Sequence, residues 1–421
     1  MTKLKHNFRL NFFLICVGVG VASALFSWAV DFAALICAQV FAYNRWAMLI
    51  YTPLVFVATV YLLQRYFPNA GGSGLPQGYA VDVFDSATLA KVYSIRSLIG
   101  KVILTFMSIA GGASLGKEGP MIQICSSLFA QIHGLSDKKR RLLIKLGAGV
   151  GVAASFNTPI GGMVFAIEEY VKKITPRIAT LLVGGTLVAV YVSEIFSGNQ
   201  SYLGAINPTL LQHNWRLLPL SLLLGVLCGL SGALFTKLIV LISVNNTWKI
   251  NQLRRRHYLL NAVVCGVIVA GIGYLSCGLS FGNGATATRH FLDQGINAPW
   301  YYGVAKFFGA LSSVGATVPG GYFSTALSIG AGIGDLMHHL IPEIPLVQFY
   351  LLGMTGFLAA ITQSPITAVA MVVEMSDSSQ FSLPILFAAF VASFIAERFG
   401  ASVYHQQVLI YIPPERYKDT L

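Results

Sequence analysis

Apolar and polar positions along this chain fall into long, nearly uninterrupted apolar runs, separated by breaks rich in glycine and proline. Runs near 10–40, 46–64, 177–196, 215–243, 258–280 and 379–396 each reach the ~20 apolar residues that a helix needs to cross a bilayer. They predict transmembrane helices. Other apolar stretches are shorter or interrupted. One of them, residues 102–112, leads into the charged turn Gly116-Lys117-Glu118-Gly119-Pro120, after which Met121, Ile122, Ile124, Cys125 and Leu128 open another buried helix. Irregular backbone at membrane depth must be buried in protein or line a cavity, because lipid offers its N–H and C=O groups no partner. The pattern therefore predicts discontinuous helices of the kind that form substrate sites in transporters and channels.

Composition strengthens the membrane reading. Of 421 residues, 55% are hydrophobic and only 10% charged, with a mean hydropathy of +0.68, far outside the range of soluble globular chains. The 42 glycines and 16 prolines fit close helix contacts and broken helices. The amino-terminal run is too long for a secretory signal and is read as the first membrane segment. Cys16, Cys37, Cys125, Cys228, Cys265 and Cys277 lie in or beside apolar runs with no C-x-x-C pair, as small core residues do. The formal charge of +12 comes from short clusters between apolar runs: Lys3, Lys5 and Arg9, then Lys172 and Lys173, Arg254, Arg255 and Arg256, and finally Arg416 and Lys418. That distribution is the positive-inside pattern and not a nucleic-acid footprint. It would also favour anions near the cytoplasmic mouth. Charge alone does not place the basic cluster at 138–141.

The chain contains an internal repeat. Gly147, Ala153, Ala154, Pro159, Ile160 and Glu168 recur 206 positions later as Gly353, Ala359, Ala360, Pro365, Ile366 and Glu374. Two related halves are the expectation, whether parallel or inverted. With a small gap, the turn at 116–120 faces Gly320-Gly321-Tyr322-Phe323-Ser324, another glycine turn opening a helix. Broken helices in corresponding positions point to a midplane substrate site.

The repeat separates scaffold from chemistry. Glu168 has the counterpart Glu374, so a shared structural role such as satisfying helix ends is expected of both. Glu169 faces Met375, and Glu118 faces Tyr322 or Phe323; these two acids are not required by the scaffold, and intramembrane acids are functional candidates. Two readings stand at each. Glu118 either caps its helix or is a movable anion beside the helix N-terminus, where unpaired N–H groups attract negative charge. Glu169 is either a proton-bearing group or an interfacial residue beside Lys172 and Lys173. A third turn, Gly71-Gly72-Ser73-Gly74-Leu75-Pro76, offers a serine hydroxyl that either caps a helix or donates to an anion.

With these turns in hand, the sequence resembles the CLC family of chloride channels and chloride/proton exchangers, of the prokaryotic type without CBS domains. The resemblance rests on G-S-G-L-P from Gly72 to Pro76, G-K-E-G-P at 116–120, P-G-G-Y-F at 319–323, the pair Glu168-Glu169, and Tyr404, in the family's order from about residue 12 to 410. It implies an all-α polytopic fold of short, tilted and broken helices in two inverted-topology repeats, 10–205 and 206–410. A single transport domain would span 1–421, with 411–421 a short cytoplasmic tail, both termini cytoplasmic, in a prokaryotic inner membrane. It also implies a homodimer with one pathway per subunit. The hydroxyls of Ser73 and Tyr404 and the backbone amides of Tyr322 and Phe323 would bind chloride, or bromide and similar anions. Gly72, Gly74, Pro76, Gly116, Lys117, Gly119, Pro120, Gly320 and Gly321 would shape the supporting turns. Glu118 would be the external gate, and Glu169 the internal proton-transfer group that separates exchangers from most channels of the family. Three departures are noted: Thr325 replaces a common proline, the segment before the first span is short, and Gln77 stands where many members carry glutamate, bearing on neither ion site directly.

The expected function is thus H+/Cl− antiport, with a passive gated chloride channel as the main alternative and a fluoride/proton antiporter as a lesser one; Ser73 favours chloride. An intramembrane serine protease built on Gly71-Gly72-Ser73-Gly74 would need a histidine base, and all eight histidines fall in loops or at segment ends. A cation-coupled carrier would show acidic or carbonyl-lined cation sites that these turns do not supply. No motif for a metal or nucleotide cofactor is present, and no enzymatic activity or nucleic-acid partner is expected.

Overall fold

The computed structural model describes residues 2–171, 173–198, 201–204, 206–211, 217–245, 248–412 and 414–417. Lys172, Lys418 and His213 lie outside them, as do the side chains of Lys3 and Lys5.

Among the described residues the secondary structure is helical throughout. The first half comprises α1 (Thr2–Tyr43), α2 (Met48–Tyr66), α3 (Leu75–Tyr79), α4 (Ser86–Val92), α5 (Ile95–Ala110), α6 (Glu118–Ala130), α7 (Asp137–Phe156), α8 (Pro159–Phe165) and α9 (Pro176–Ser197). The second comprises α10 (Leu217–Ser243), α11 (Lys249–Arg256), α12 (Tyr258–Leu275), α13 (Ala285–Gln294), α14 (Tyr302–Gly315), α15 (Phe323–His338), α16 (Leu346–Thr362), α17 (Pro365–Ser376), α18 (Ser382–Glu397) and α19 (Val403–Gln407). Among the described residues, seven segments are long and apolar enough to cross a membrane, six matching the sequence expectation. The seventh, Ser86–Ala110, joins α4 and α5 across the break at Ser94. The run expected to reach residue 280 stops at Leu275, because Cys277 and Gly278 take left-handed backbone that a helix cannot continue. The first helix begins at Thr2 and not near residue 10. Five cysteines are buried as expected, whereas Cys277 is exposed in that turn. The 138–141 cluster sits in the first turns of α7, where Arg141 pairs with Asp137 at 2.9 Å and Lys145 bonds Asp82.

The repeat is physical. Asn157 (φ 56°) ends α7 and Gln363 (φ 57°) ends α16, each in the left-handed conformation, and each is followed two residues later by a proline that starts the next helix. At those helix starts the halves cap one another. The Ile160 and Gly161 amides donate to Glu374 at 3.0 and 2.7 Å; the Ile366 and Thr367 amides donate to Glu168 at 3.3 and 2.7 Å, with the Thr367 hydroxyl at 2.6 Å. Donors and acceptors are both 206 apart, so the contact is reciprocal, as a twofold axis requires. The shared structural role expected of Glu168 and Glu374 is what the structure contains.

Small residues draw the helices together. A methyl group on Gly330 of α15 would fall 2.6 Å from the Gly353 carbonyl carbon and 2.8 Å from the Met354 Cα of α16. Only glycine allows these backbones to touch.

Candidate functional site

Three broken helices meet at one point. The Gly116 amide donates to the Gly321 carbonyl at 2.5 Å and the Gly321 amide returns a bond to Gly116 at 2.8 Å, so the corresponding turns of the two halves hold each other. That bridge sets the starts of α6 at Glu118 and of α15 at Phe323 side by side, with first-turn N–H groups that no helical carbonyl can satisfy. Gly119 brings in the third turn: a Cβ there would lie 2.6 Å from the Ser73 carbonyl oxygen and 3.1 Å from the Gly321 Cα. Gly119 therefore has to be glycine.

Ser73 is buried, and its hydroxyl has no hydrogen-bond partner. The capping alternative fails, because Gly74 (φ 104°) is the residue before α3 and no side chain caps that helix. The turn is braced from behind. Lys101, fully buried, donates its Nζ to the Gly71 and Gly72 carbonyls at 2.9 Å each, and Gln77 Nε2 reaches Gly71 O and the Tyr411 hydroxyl, also at 2.9 Å. Gln77 thus does not enter the site itself but supports the Ser73 turn from behind. Tyr404, on α19, is likewise fully buried with an unpartnered hydroxyl, its ring stacked on Tyr322 at 5.1 Å with 10° between planes. The Tyr322 hydroxyl is held by Gln407.

Glu118 is buried and is the first residue of α6, but its carboxylate does not cap that helix. Oε1 accepts from the Tyr202 hydroxyl at 3.0 Å and Oε2 has no partner. Glu169 is also buried, 3% exposed, which removes the interfacial reading. It lies in a π-helical turn, Ala166–Val171, that continues α8; such a turn re-aims side chains relative to an α-helix. Its carboxylate accepts from the hydroxyls of Tyr79 and Ser364. Leaving a buried hydroxyl or carboxylate oxygen unpaired costs about 1–3 kcal/mol. Ser73, Tyr404 and Glu118 each present such an atom, and hydroxyl donors beside positive helix ends suit a weakly hydrated anion.

Lys117 lines a cavity of about 360 Å³ together with Tyr202, Asn283, Arg289, Asp31 and Glu194. Sequence reasoning missed Tyr202, Asn283, Tyr79, Ser364 and the fully buried lysines Lys101 and Lys306. A signal for the lysines existed, since they stand 205 apart on corresponding helices.

Buried helix breaks that face one another across two related halves, within a bundle of apolar spans, define a polytopic membrane transport protein. The sequence profile of the family described as voltage gated chloride channel matches residues 54–397, and the chain belongs to that family, the CLC family. A putative chloride channel protein, ClcB-like, from Ralstonia nicotianae is 30% identical over 371 residues, covering 80% of this chain and 83% of the relative. An H(+)/Cl(-) exchange transporter ClcA from Klebsiella pneumoniae is 26% identical over 392 residues, covering 85% and 78%. Among solved structures, a slow cyanobacterial Cl-/H+ antiporter superposes with a TM-score of 0.82 at 23% identity, over 96% of each chain. A CLC-type fluoride/proton antiporter superposes with a TM-score of 0.81 at 18% identity, over 94% of this chain and 96% of that one. The fold is therefore the inverted-repeat CLC fold. The relatives named are transporters and channels.

Proposed function

We propose that this protein is an H+/Cl− antiporter that moves chloride in exchange for protons through a pathway within each subunit. The observation that carries the reading is the pair of buried, hydrogen-bonded carboxylates, Glu118 and Glu169, in a protein that also buries the unpartnered hydroxyls of Ser73 and Tyr404. Chloride binds to the hydroxyls of Ser73 and Tyr404 and to the first amides of α15, at Tyr322 and Phe323. Dipoles without a full positive charge bind a halide and still release it. Ionised Glu118 competes for the same helix ends, whereas protonated Glu118 does not, so each anion's passage is tied to a proton. Glu169 delivers that proton from the opposite side. The whole chain acts as one transport domain with halves 10–205 and 206–410 and a short tail, 411–421. It works as a homodimer in a prokaryotic inner membrane, with both termini cytoplasmic and lipid around its apolar faces.

A passive channel is the second reading, since Glu118 alone could gate chloride and one relative is named as a putative channel. Paired flux measurements on purified protein in liposomes decide between them. An imposed chloride gradient drives proton movement in the antiporter; chloride flux without proton movement leaves only the channel. Glu118→Gln uncouples the two ions, and Glu169→Gln stops protons while sparing chloride. Unchanged coupling in both variants would discard the assignment of these sites.

A further inference from the structure

The turn that carries Ser73 has a structural twin in the second half. Gly282-Asn283-Gly284-Ala285 opens α13 as Gly72-Ser73-Gly74-Leu75 opens α3. Both glycines of each turn are left-handed: φ 67° and 104° in the first half, 62° and 82° in the second. A buried lysine braces each from behind. Lys101 holds the Gly71 and Gly72 carbonyls, and Lys306 holds those of Ser280, Phe281 and Gly282, at 3.2, 2.8 and 3.0 Å. Asn283 therefore occupies in the second half the place of Ser73 in the first.

The twin is aimed at the carboxylate of Glu118. Asn283 Oδ1 accepts from the Ala285 amide at 3.1 Å, which fixes the orientation of its amide and leaves Nδ2 to donate to the Tyr202 hydroxyl, also at 3.1 Å. Ser324, at the start of α15, contacts the same hydroxyl at 3.0 Å. The phenol's one proton goes to the acceptor-only Glu118 Oε1, at 3.0 Å, which leaves the Ser324 hydroxyl to donate, with Asn283, to the phenol oxygen. Tyr202 and Asn283 line the cavity, whereas Ser73 and Tyr404 do not.

We propose that Tyr202, held by Asn283 and Ser324, is a positioning residue that docks the Glu118 carboxylate on the cavity side of the pathway and so controls how often that carboxylate competes with chloride. This rests on the gating reading of Glu118 and extends it. One half of the repeat presents its turn to the anion and the other half presents its turn to the gate. When the dock is lost, the ionised carboxylate spends more time at the helix ends and excludes chloride.

The test is Tyr202→Phe, which removes one hydroxyl and keeps the ring contact with Phe156 (5.0 Å between centroids). In liposome flux at fixed pH the apparent KM for chloride rises about tenfold, the size expected for one hydrogen bond to a charged group, with a much smaller change in maximal rate. Asn283→Ala, which leaves the phenol in place but less firmly held, raises KM in the same direction by less. In a Glu118→Gln background, where no ionised carboxylate competes, Tyr202→Phe leaves KM where Glu118→Gln alone puts it. An unchanged KM in Tyr202→Phe, or an equal rise in the Glu118→Gln background, overturns the docking role alone. Intact proton coupling in Glu118→Gln overturns the gating reading, and the docking role falls with it.

Discussion

The reciprocal caps allow the scaffold to be tested apart from transport. Glu374 accepts two amides of α8 and Glu168 accepts two amides and a hydroxyl of α17. A hydrogen bond to a charged group contributes about 1.5–3 kcal/mol when buried, and these carboxylates are only partly buried, so the lower half of that range applies. At about 1.5–2.25 kcal/mol per bond, Glu374→Ala should destabilise by about 3–4.5 kcal/mol for its two bonds and Glu168→Ala by about 4.5–7 kcal/mol for its three, because each truncation strands helix-start N–H groups. Glutamine, which keeps one acceptor oxygen, should restore roughly half of each loss. The double alanine variant should lose about 1 kcal/mol less than the sum, since both caps secure the same α8–α17 contact. Unfolding in mixed detergent micelles followed by tryptophan fluorescence measures all three. Proton-to-chloride stoichiometry in the surviving protein should equal that of the wild type. If Glu168→Ala were as stable as wild type, or if it abolished coupling as Glu169→Gln is expected to, the division between scaffold and transport residues would be wrong.

Three further outcomes are expected. Ser73→Ala and Tyr404→Phe should each weaken chloride binding by about tenfold through loss of one O–H donor to an anion, read by titration calorimetry; unchanged affinity in both would remove these hydroxyls from the site. Lys101→Met, which keeps the stem and deletes the ammonium that holds the Gly71 and Gly72 carbonyls, should also lower chloride affinity through a looser Ser73 turn, and an unaffected titration would show the turn to be rigid without it. Gly330→Val should cost about 1–3 kcal/mol by forcing α15 and α16 apart, whereas Gly271→Ala, which meets nothing within 4 Å, should be neutral or stabilising by up to ~1 kcal/mol; melting temperatures in detergent rank the two.

Much of this architecture is legible in the chain because its signals are local. Six of seven spans follow from apolar run length, and Pro159 and Pro365 mark helix starts that the structure contains. The seventh span was missed because Ser94 divides it into pieces too short to register. The comparison of Glu168 with Glu374 pointed to their shared capping role without any structure. The same comparison could have found Asn283, but Ser73 and Asn283 stand 210 apart instead of 206, and the extra residues hide the match from a fixed offset.

What the sequence determined by itself is the solvent and the plan: a bilayer, two related halves, helices broken at glycine turns, and membership of a family recognisable from those turns. What the tertiary structure alone decided is which groups face one another. Tyr202 reaches Glu118 across 84 residues, Ser364 reaches Glu169 across 195, and Glu374 caps Ile160 across 214. Run length, turn chemistry and repeat spacing act over a few neighbouring residues, whereas these contacts exist only after helices from both halves pack and the glycine turns at 116 and 321 close on each other.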